Sequence, residues 1–275
     1  MSIKIKTYFI IFLIIIPIPI FSFGSAIDKK VESLVVKGSK KEALDLLIVE
    51  FQKTKKNKLK EQLKDKIKQV AEMFLTEDGL KDYESSRSYF LQKNENSTVL
   101  IKKSIELEPE NTLAIKHYAK ILLFNKKCNQ AIEQLMLALK LNPFDETLKV
   151  FLGQANYCQY GEVRLDKGIV SQHVELAALD LQDKLKNKEI DLVKNLEALI
   201  KTYPSYPRLY YYKWSNLDAE SKSERERLAK KYIALCREKD VQNQFLDVNP
   251  CDQMNVMSSY YEGVVKQSKQ NQEGE

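Results

Sequence analysis

The sequence predicts an all-α protein in which antiparallel helix pairs stack as an α-solenoid. Three observations carry this. Glu108-Pro109-Glu110 and Asn142-Pro143-Phe144 stand 34 positions apart, and a fixed period of that length with a proline at its boundary marks a helical repeat whose units cannot bury their apolar faces alone. Between the two tripeptides, small residues fall at Ala119, Ala131 and Ala138 in a leucine-rich run. Eight glycines and seven prolines in 275 residues, with 30% charged side chains and no convincing alternating pattern, suit helices rather than strands or disorder.

At the N-terminus, Lys4 and Lys6 precede an apolar run from Tyr8 to Phe21 that ends in Gly24-Ser25-Ala26, the pattern of a secretory signal peptide over residues 1–26. The run is 14 residues and carries Pro17 and Pro19, short of the roughly 20 apolar residues a membrane span needs. Cleavage is expected after Ala26; kept as an uncleaved anchor, the two lysines would hold the N-terminus in the cytoplasm and the rest would still be exported. The expected location is the bacterial periplasm. A membrane-anchored exported domain and a secreted protein are the alternatives, and a cytosolic protein that begins with a greasy strand is the bland reading. No cysteine lies near the cleavage region, which argues against a lipid anchor.

The formal net charge is +6, from 44 basic and 38 acidic residues. Without Lys4 and Lys6 the balance is 42 to 38, too weakly basic for a nucleic-acid binder. The remaining chain is long enough for one elongated solenoid or two compact domains.

An N-terminal helical region is expected over 27–79. Ile27, Val31, Leu34 and Val35 make a short apolar face ended by Gly38. Ser39 with Glu42 is a capping-box signal opening a helix that carries Ala43, Leu44, Leu46, Leu47 and Phe51. A third stripe, Leu59, Leu63, Ile67, Val70 and Phe74, has helical spacing, and Gly79 is the expected stop. Eight lysines between Lys53 and Lys68 stand against Glu61 and Asp65; they read as a solvated face, with a membrane-surface or cell-wall adaptor as the functional alternative.

Repeats are expected over 80–220, and the best unit is 112–145. Its first helix presents Ile115, Tyr118, Ala119 and Leu122, and its second presents Ala131, Leu135 and Ala138 before Leu141 and Pro143. Alanines at the crossing let the helices approach, and larger residues fill the space between. One period upstream the small positions are Ser85, Ser97 and Ser104, with Ile101 as the large one. Downstream, Leu152-Gly153 supplies a large-small pair, an insertion around Gly161 to Gly168 breaks the register, and a helix follows from about Ile169 to Lys186. Leu192, Leu196 and Leu199 precede Tyr203-Pro204 as Ala131, Leu135 and Ala138 precede Asn142-Pro143. C-terminal helices are expected over 221–265: one capped by Ser221 with Glu224 and running to about Lys239, and one from Cys251 to Val265. The tail 266–275 is polar.

These residues resemble the tetratricopeptide repeat, with one strong unit and weaker ones on either side. The resemblance implies a right-handed superhelix whose concave groove, lined by the first helix of each pair, takes an extended peptide or a partner's helix. On that helix but off its packing face lie Leu113, Lys116, Lys120, Leu123 and Phe124 in the best unit, and Thr147, Val150, Gln154 and Tyr157 in the next. Lys116 and Lys120, four apart, share a face suited to a carboxylate or a backbone carbonyl, or are simply solvated. Phe151 and Gln154 stand where the family's carboxylate-clamp variant needs further Asn and basic residues. The cluster Tyr203, Tyr206, Tyr210, Tyr211, Tyr212 and Trp214 covers several helix faces, so Tyr211 and Trp214 are candidate contact residues against a reading of core packing.

Four cysteines, Cys128, Cys158, Cys236 and Cys251, allow three connectivities. In the repeat geometry the start of one helix lies beside the end of the next antiparallel one, which favours Cys128 with Cys158 and Cys236 with Cys251. Buried unpaired thiols are the alternative.

For catalysis, His117 and His173 are isolated, and no glycine-rich phosphate loop, serine elbow or paired-cysteine redox motif is present. The expectation is therefore a non-enzymatic scaffold with no catalytic residue, metal or cofactor, binding a protein or peptide and not nucleic acid. A peptidoglycan-active α-superhelical enzyme is the alternative outside that class.

Overall fold

The structure, a computed structural model, describes residues 26–186, 192–238 and 249–273. The leader expected over 1–26 lies outside these apart from Ala26, as does Lys239. Among the described residues there are fourteen α-helices and no strand, and they form an all-α helical-repeat solenoid.

Helices α1 (Ala26–Val36), α2 (Lys40–Lys53) and α3 (Asn57–Glu72) close around Val31, Val35, Leu44, Leu47, Leu63, Ile67 and Val70. This is the predicted set of stripes, except that Leu59 faces outward and Phe74, past the end of α3, packs instead in the core around Tyr83 and Ile101. Gly38 ends α1 with φ +77°, a left-handed position that costs glycine nothing. The Ser39 side chain makes no capping hydrogen bond, so the expected capping box does not form. Instead Glu110 Oε2 accepts the Lys41 N–H at 2.8 Å from across the molecule.

Gly79 is no stop. It lies in the first turn of α4 (Glu77–Leu91), where an added Cβ would meet Glu108 Cγ and Thr76 Oγ1, each at 2.7 Å. Helix α4 pairs with α5 (Asn96–Leu107) through small polar residues. Ser86 Oγ donates to the Ser97 carbonyl at 2.7 Å, and Ser104 Oγ donates to the Gly79 carbonyl at 2.8 Å. Serine therefore serves as the small residue here, because each buried hydroxyl finds a carbonyl on the facing helix. The buried position on α4 is Ser86 rather than Ser85.

The central unit is α6 (Thr112–Phe124), α7 (Cys128–Leu141) and α8 (Glu146–Tyr160). Its core holds every residue expected of the best unit: Ile115, Ala119, Leu122, Ala131, Leu135 and Ala138, with Tyr118 and Leu141 packed against them. Asn111 and Asp145, also 34 positions apart, are the N-caps of α6 and α8; each carboxyl or amide oxygen accepts two backbone N–H groups. Between the helices of a pair the chain turns through Lys93 (φ +55°) and Lys126 (φ +59°), where glycine would be at ease.

Beyond the insertion, the expected single helix is two. Helix α9 (Lys167–Gln172) breaks at extended His173 before α10 (Val174–Lys186). Gly153 lets α10 approach α8 closely, since a Cβ there would lie 2.5 Å from a Leu176 methyl carbon. Then follow α11 (Leu192–Thr202), α12 (Pro207–Ser215), α13 (Lys222–Arg237) and α14 (Met254–Glu273). Ser221 makes no side-chain cap, Cys251 lies in the turn before α14 rather than inside it, and α14 extends past Val265.

The cores run into one another along the chain. Ile105 and Tyr118 are shared between the α4–α6 and α6–α8 cores, Leu165 links the next, and Ile200 and Tyr211 bridge the last two. The α1–α3 module joins this stack from the side, on the loop after α7, where Leu141 and Phe144 complete its core and the Phe51 and Phe144 rings lie 4.2 Å apart. Cys128 pairs with Cys158 and Cys236 with Cys251, at Cα separations of 5.8 and 5.7 Å.

Candidate functional site

A cleft of 640 Å³ opens where the end of α6 meets α8, α10, α12 and the turn 249–253. Leu123, Phe124 and Lys126 form one wall, Gln154, Tyr157, Leu179 and Gln182 the floor, and Arg208, Tyr211, Asn249, Asp252 and Gln253 the far wall. Its position follows from the repeat, because the first helix of each pair lines the same side of the stack. The far wall is held by Arg208, which donates to the Asn249 carbonyl at 2.9 Å and to Asp252 Oδ2 at 3.2 Å. The Cys236–Cys251 bridge ties the same turn to α13. Tyr157 OH donates to Gln182 Oε1 at 3.0 Å, fixing the phenol across the floor. Phe124 stays 38% exposed at the mouth with its ring edge-on to Phe90.

Chemically this is an amide- and phenol-rich trough with aromatic lips. Glutamine and asparagine side chains both donate and accept, which matches the alternating N–H and C=O groups of an extended peptide backbone. Tyrosine adds flat apolar area at little entropic cost.

Of the residues expected on the groove, Leu123, Phe124, Gln154, Tyr157 and Tyr211 come together in this cleft. Others do not. Lys116 is held between Glu72 Oε1 at 2.9 Å and Asp145 Oδ2 at 3.0 Å, so its charge is answered inside the protein. Burial pulls its pKa down, but Asp145 and Glu72 outweigh that and raise it. Val150 is fully buried among Val170 and Leu176, because α9 and α10 fold over a helix face that the repeat pattern leaves open. Leu113 is half-buried against the α4–α6 core, Thr147 sits in the α8 cap, and Lys120 stands over the Phe90 ring. Trp214 packs on Tyr211, edge-on to Tyr260 and under Arg225, between α12 and α14 rather than in the cleft. Tyr206, Tyr210 and Tyr212 are core residues.

Arg208, Gln182, Asn249, Asp252 and Gln253 were not legible as site residues. No periodic signal marks them, and three of them reach the cleft only because the turn 249–253 folds back along α12. Among the described residues no group of three His, Cys, Asp or Glu side chains is placed to hold a metal ion. His117 packs edge-on to Tyr83 and Phe90, and burial, with Lys120 and Arg87 nearby, lowers its pKa to about 4. His173 lies 3.5 Å from Glu146.

Fold and cleft together define a helical-repeat solenoid with a polar groove on the side lined by its first helices. No family model matches the chain. Over 97 residues, 35% of its length, it is 34% identical to anaphase-promoting complex subunit 3 of Dictyostelium discoideum, and it spans 9% of that relative.

Proposed function

We propose that the protein is an exported, tetratricopeptide-like scaffold that binds an extended segment of another envelope or secreted protein in the cleft between α6, α8, α10 and α12, and performs no chemistry of its own. The observation that carries this is the convergence of Gln154, Tyr157, Gln182 and Tyr211 from three helices on one trough. Similarity to a subunit of a multiprotein complex supports a protein partner. Two disulfides support an oxidising compartment, in keeping with the leader pattern at the N-terminus.

The test is photo-crosslinking in the native envelope with a benzophenone amino acid at Phe124. A discrete adduct is expected, lost in the Tyr157→Ala variant at unchanged melting temperature and in the Tyr211→Ala variant, which also loosens the cores Tyr211 bridges. Adducts indifferent to both substitutions, or turnover in a muramidase assay, would overturn the reading.

The lysine-rich α3 supplies the alternative, a membrane-surface or cell-wall adaptor. Three of its region's eight lysines are engaged within the protein: Lys66 with Asp28, Lys64 with Glu61, and Lys60 over the Phe51 ring. Binding to anionic vesicles that weakens steeply with salt would favour that surface over the cleft.

A further inference from the structure

Helix α12 separates two clefts. Arg208 and Tyr211 face the polar trough, while Tyr210 and Lys213, three apart, face a second cleft of 560 Å³ between α11 and α13. The two are chemically unlike. The floor of the second is apolar, built from Ile200, Tyr210 and Leu228, with exposed Ala234 at its edge. Around it stand five cations: Lys201, Lys213, Arg227, Lys230 and Lys231.

Two of these cations are answered inside the protein. Lys213 donates to Glu197 and Glu224, each at 3.0 Å, and Arg227 grips both oxygens of Glu224 at 2.6 and 2.7 Å. Arg227, with Lys213, holds the Glu224 carboxyl at a pKa of about 2, so its charge is committed across the physiological range. Lys201, Lys230 and Lys231 are exposed, and among the described residues no carboxylate lies within ion-pair distance of them. Five cations against two carboxylates leave three positive charges on the rim of an apolar floor. Leu228, Lys231 and Ala234 recur every three residues on one side of α13, so apolar and cationic contacts alternate along the same wall.

We infer that this cleft is a second docking site, for an acidic amphipathic segment of a partner protein. An apolar side chain of that segment enters over Ile200 and Ala234, and its carboxylates meet Lys201, Lys230 and Lys231. The recess favours a protruding peptide over a bilayer, whose flat surface meets convex, not concave, basic patches. The site lies on the opposite side of α12 from the polar trough, so the scaffold can hold two segments at once.

The test uses the full chain and a fluorescein-labelled helical peptide of Leu and Glu in amphipathic register, read by anisotropy. A matched peptide with Gln for every Glu, and phosphatidylglycerol vesicles, serve as competing probes. The Glu peptide should bind, and a Lys201→Gln/Lys230→Gln/Lys231→Gln variant should lose about tenfold in affinity. Ala234→Phe, which crowds the cleft from its edge and keeps every charge, should also lose binding, whereas Tyr157→Ala should not. Equal binding of the Gln peptide, binding indifferent to the lysine and Ala234 variants, or lysine-dependent capture of the vesicles but not the peptide would each overturn the assignment. Absence of any polar-trough crosslink in the unsubstituted protein, with this binding intact, would sink the proposed function alone.

Discussion

Glu108 Oε1 accepts the backbone N–H of Thr76 at 2.6 Å, 32 residues back along the chain. The same oxygen takes the Leu75 N–H at 2.8 Å and the Thr76 hydroxyl at 2.9 Å. Two residues on, Glu110 performs the same service for α2. The repeat-boundary tripeptide thus anchors the turn that leads into α4 and the first turn of α2 with its two carboxylates, while its proline follows the end of the preceding helix.

Glu108 is buried, so Glu108→Ala leaves two N–H groups without their acceptor. A loss of about 3 kcal/mol is expected in urea unfolding. Gly79→Ala should cost about 2 kcal/mol, because the new methyl displaces the same carboxylate. If Gly79→Ala melts with the wild type, the junction is not the rigid element described.

Lys126 holds φ +59° at the end of α6. Lys126→Gly should raise stability by about 1 kcal/mol, since an L side chain is strained there and glycine is not. A lower melting temperature would show that the lysine stem compensates by packing.

His117 carries a folded-state pKa of about 4, below its ordinary 6.5. Between those values the unfolded chain binds more protons, so this group's contribution to stability is complete above about 6.5 and is lost as pH falls towards 4. Denaturation midpoints of the wild type and of His117→Phe, measured at pH 7, 5.5 and 4, should converge or cross as pH drops. Parallel lines would refute the burial of a neutral imidazole.

Lys40 behaves in the opposite range. Burial lowers its pKa to about 8 against the opposing pull of Glu108, Glu110 and Glu72, while its ammonium donates to the Met73 carbonyl at 2.5 Å. The fold disfavours its charge, so stability should rise between about pH 8 and 10.5. Lys40→Met should abolish that slope, and Asn111, which also donates to Met73, keeps the carbonyl satisfied.

The Cys128–Cys158 bridge closes a separation of 30 residues between α7 and α8. Cys128→Ala/Cys158→Ala should cost about 3 kcal/mol in urea unfolding, and reductant should cost the wild type more than this, because it also opens Cys236–Cys251. Four reactive thiols in the untreated protein would rule the bridges out.

The central unit was legible because Ala119, Ala131 and Ala138 report a local, periodic requirement: helices that cross closely need small residues where they touch. Gln154 and Tyr157 were legible for the same reason, as outward positions on a first helix. Lys116 was not, because its facing carboxylate, Glu72, arrives from another module, and no spacing within the repeat announces it. The cap set by Asn111 and Asp145 carries the same 34-residue period as the prolines and was readable in principle. The far wall of the trough was not, since it depends on where the chain folds back after α13.

The side-on attachment of α1–α3 has a mechanical consequence. Because Phe51 meets Phe144 directly, a pull on the two ends of the chain passes from α2 into the start of α8 and skips the α4–α5 hairpin. That hairpin is slack rope behind a knot: it lengthens only after the aromatic contact and the Lys41–Glu110, Asn111–Met73 and Glu72–Lys116 links let go.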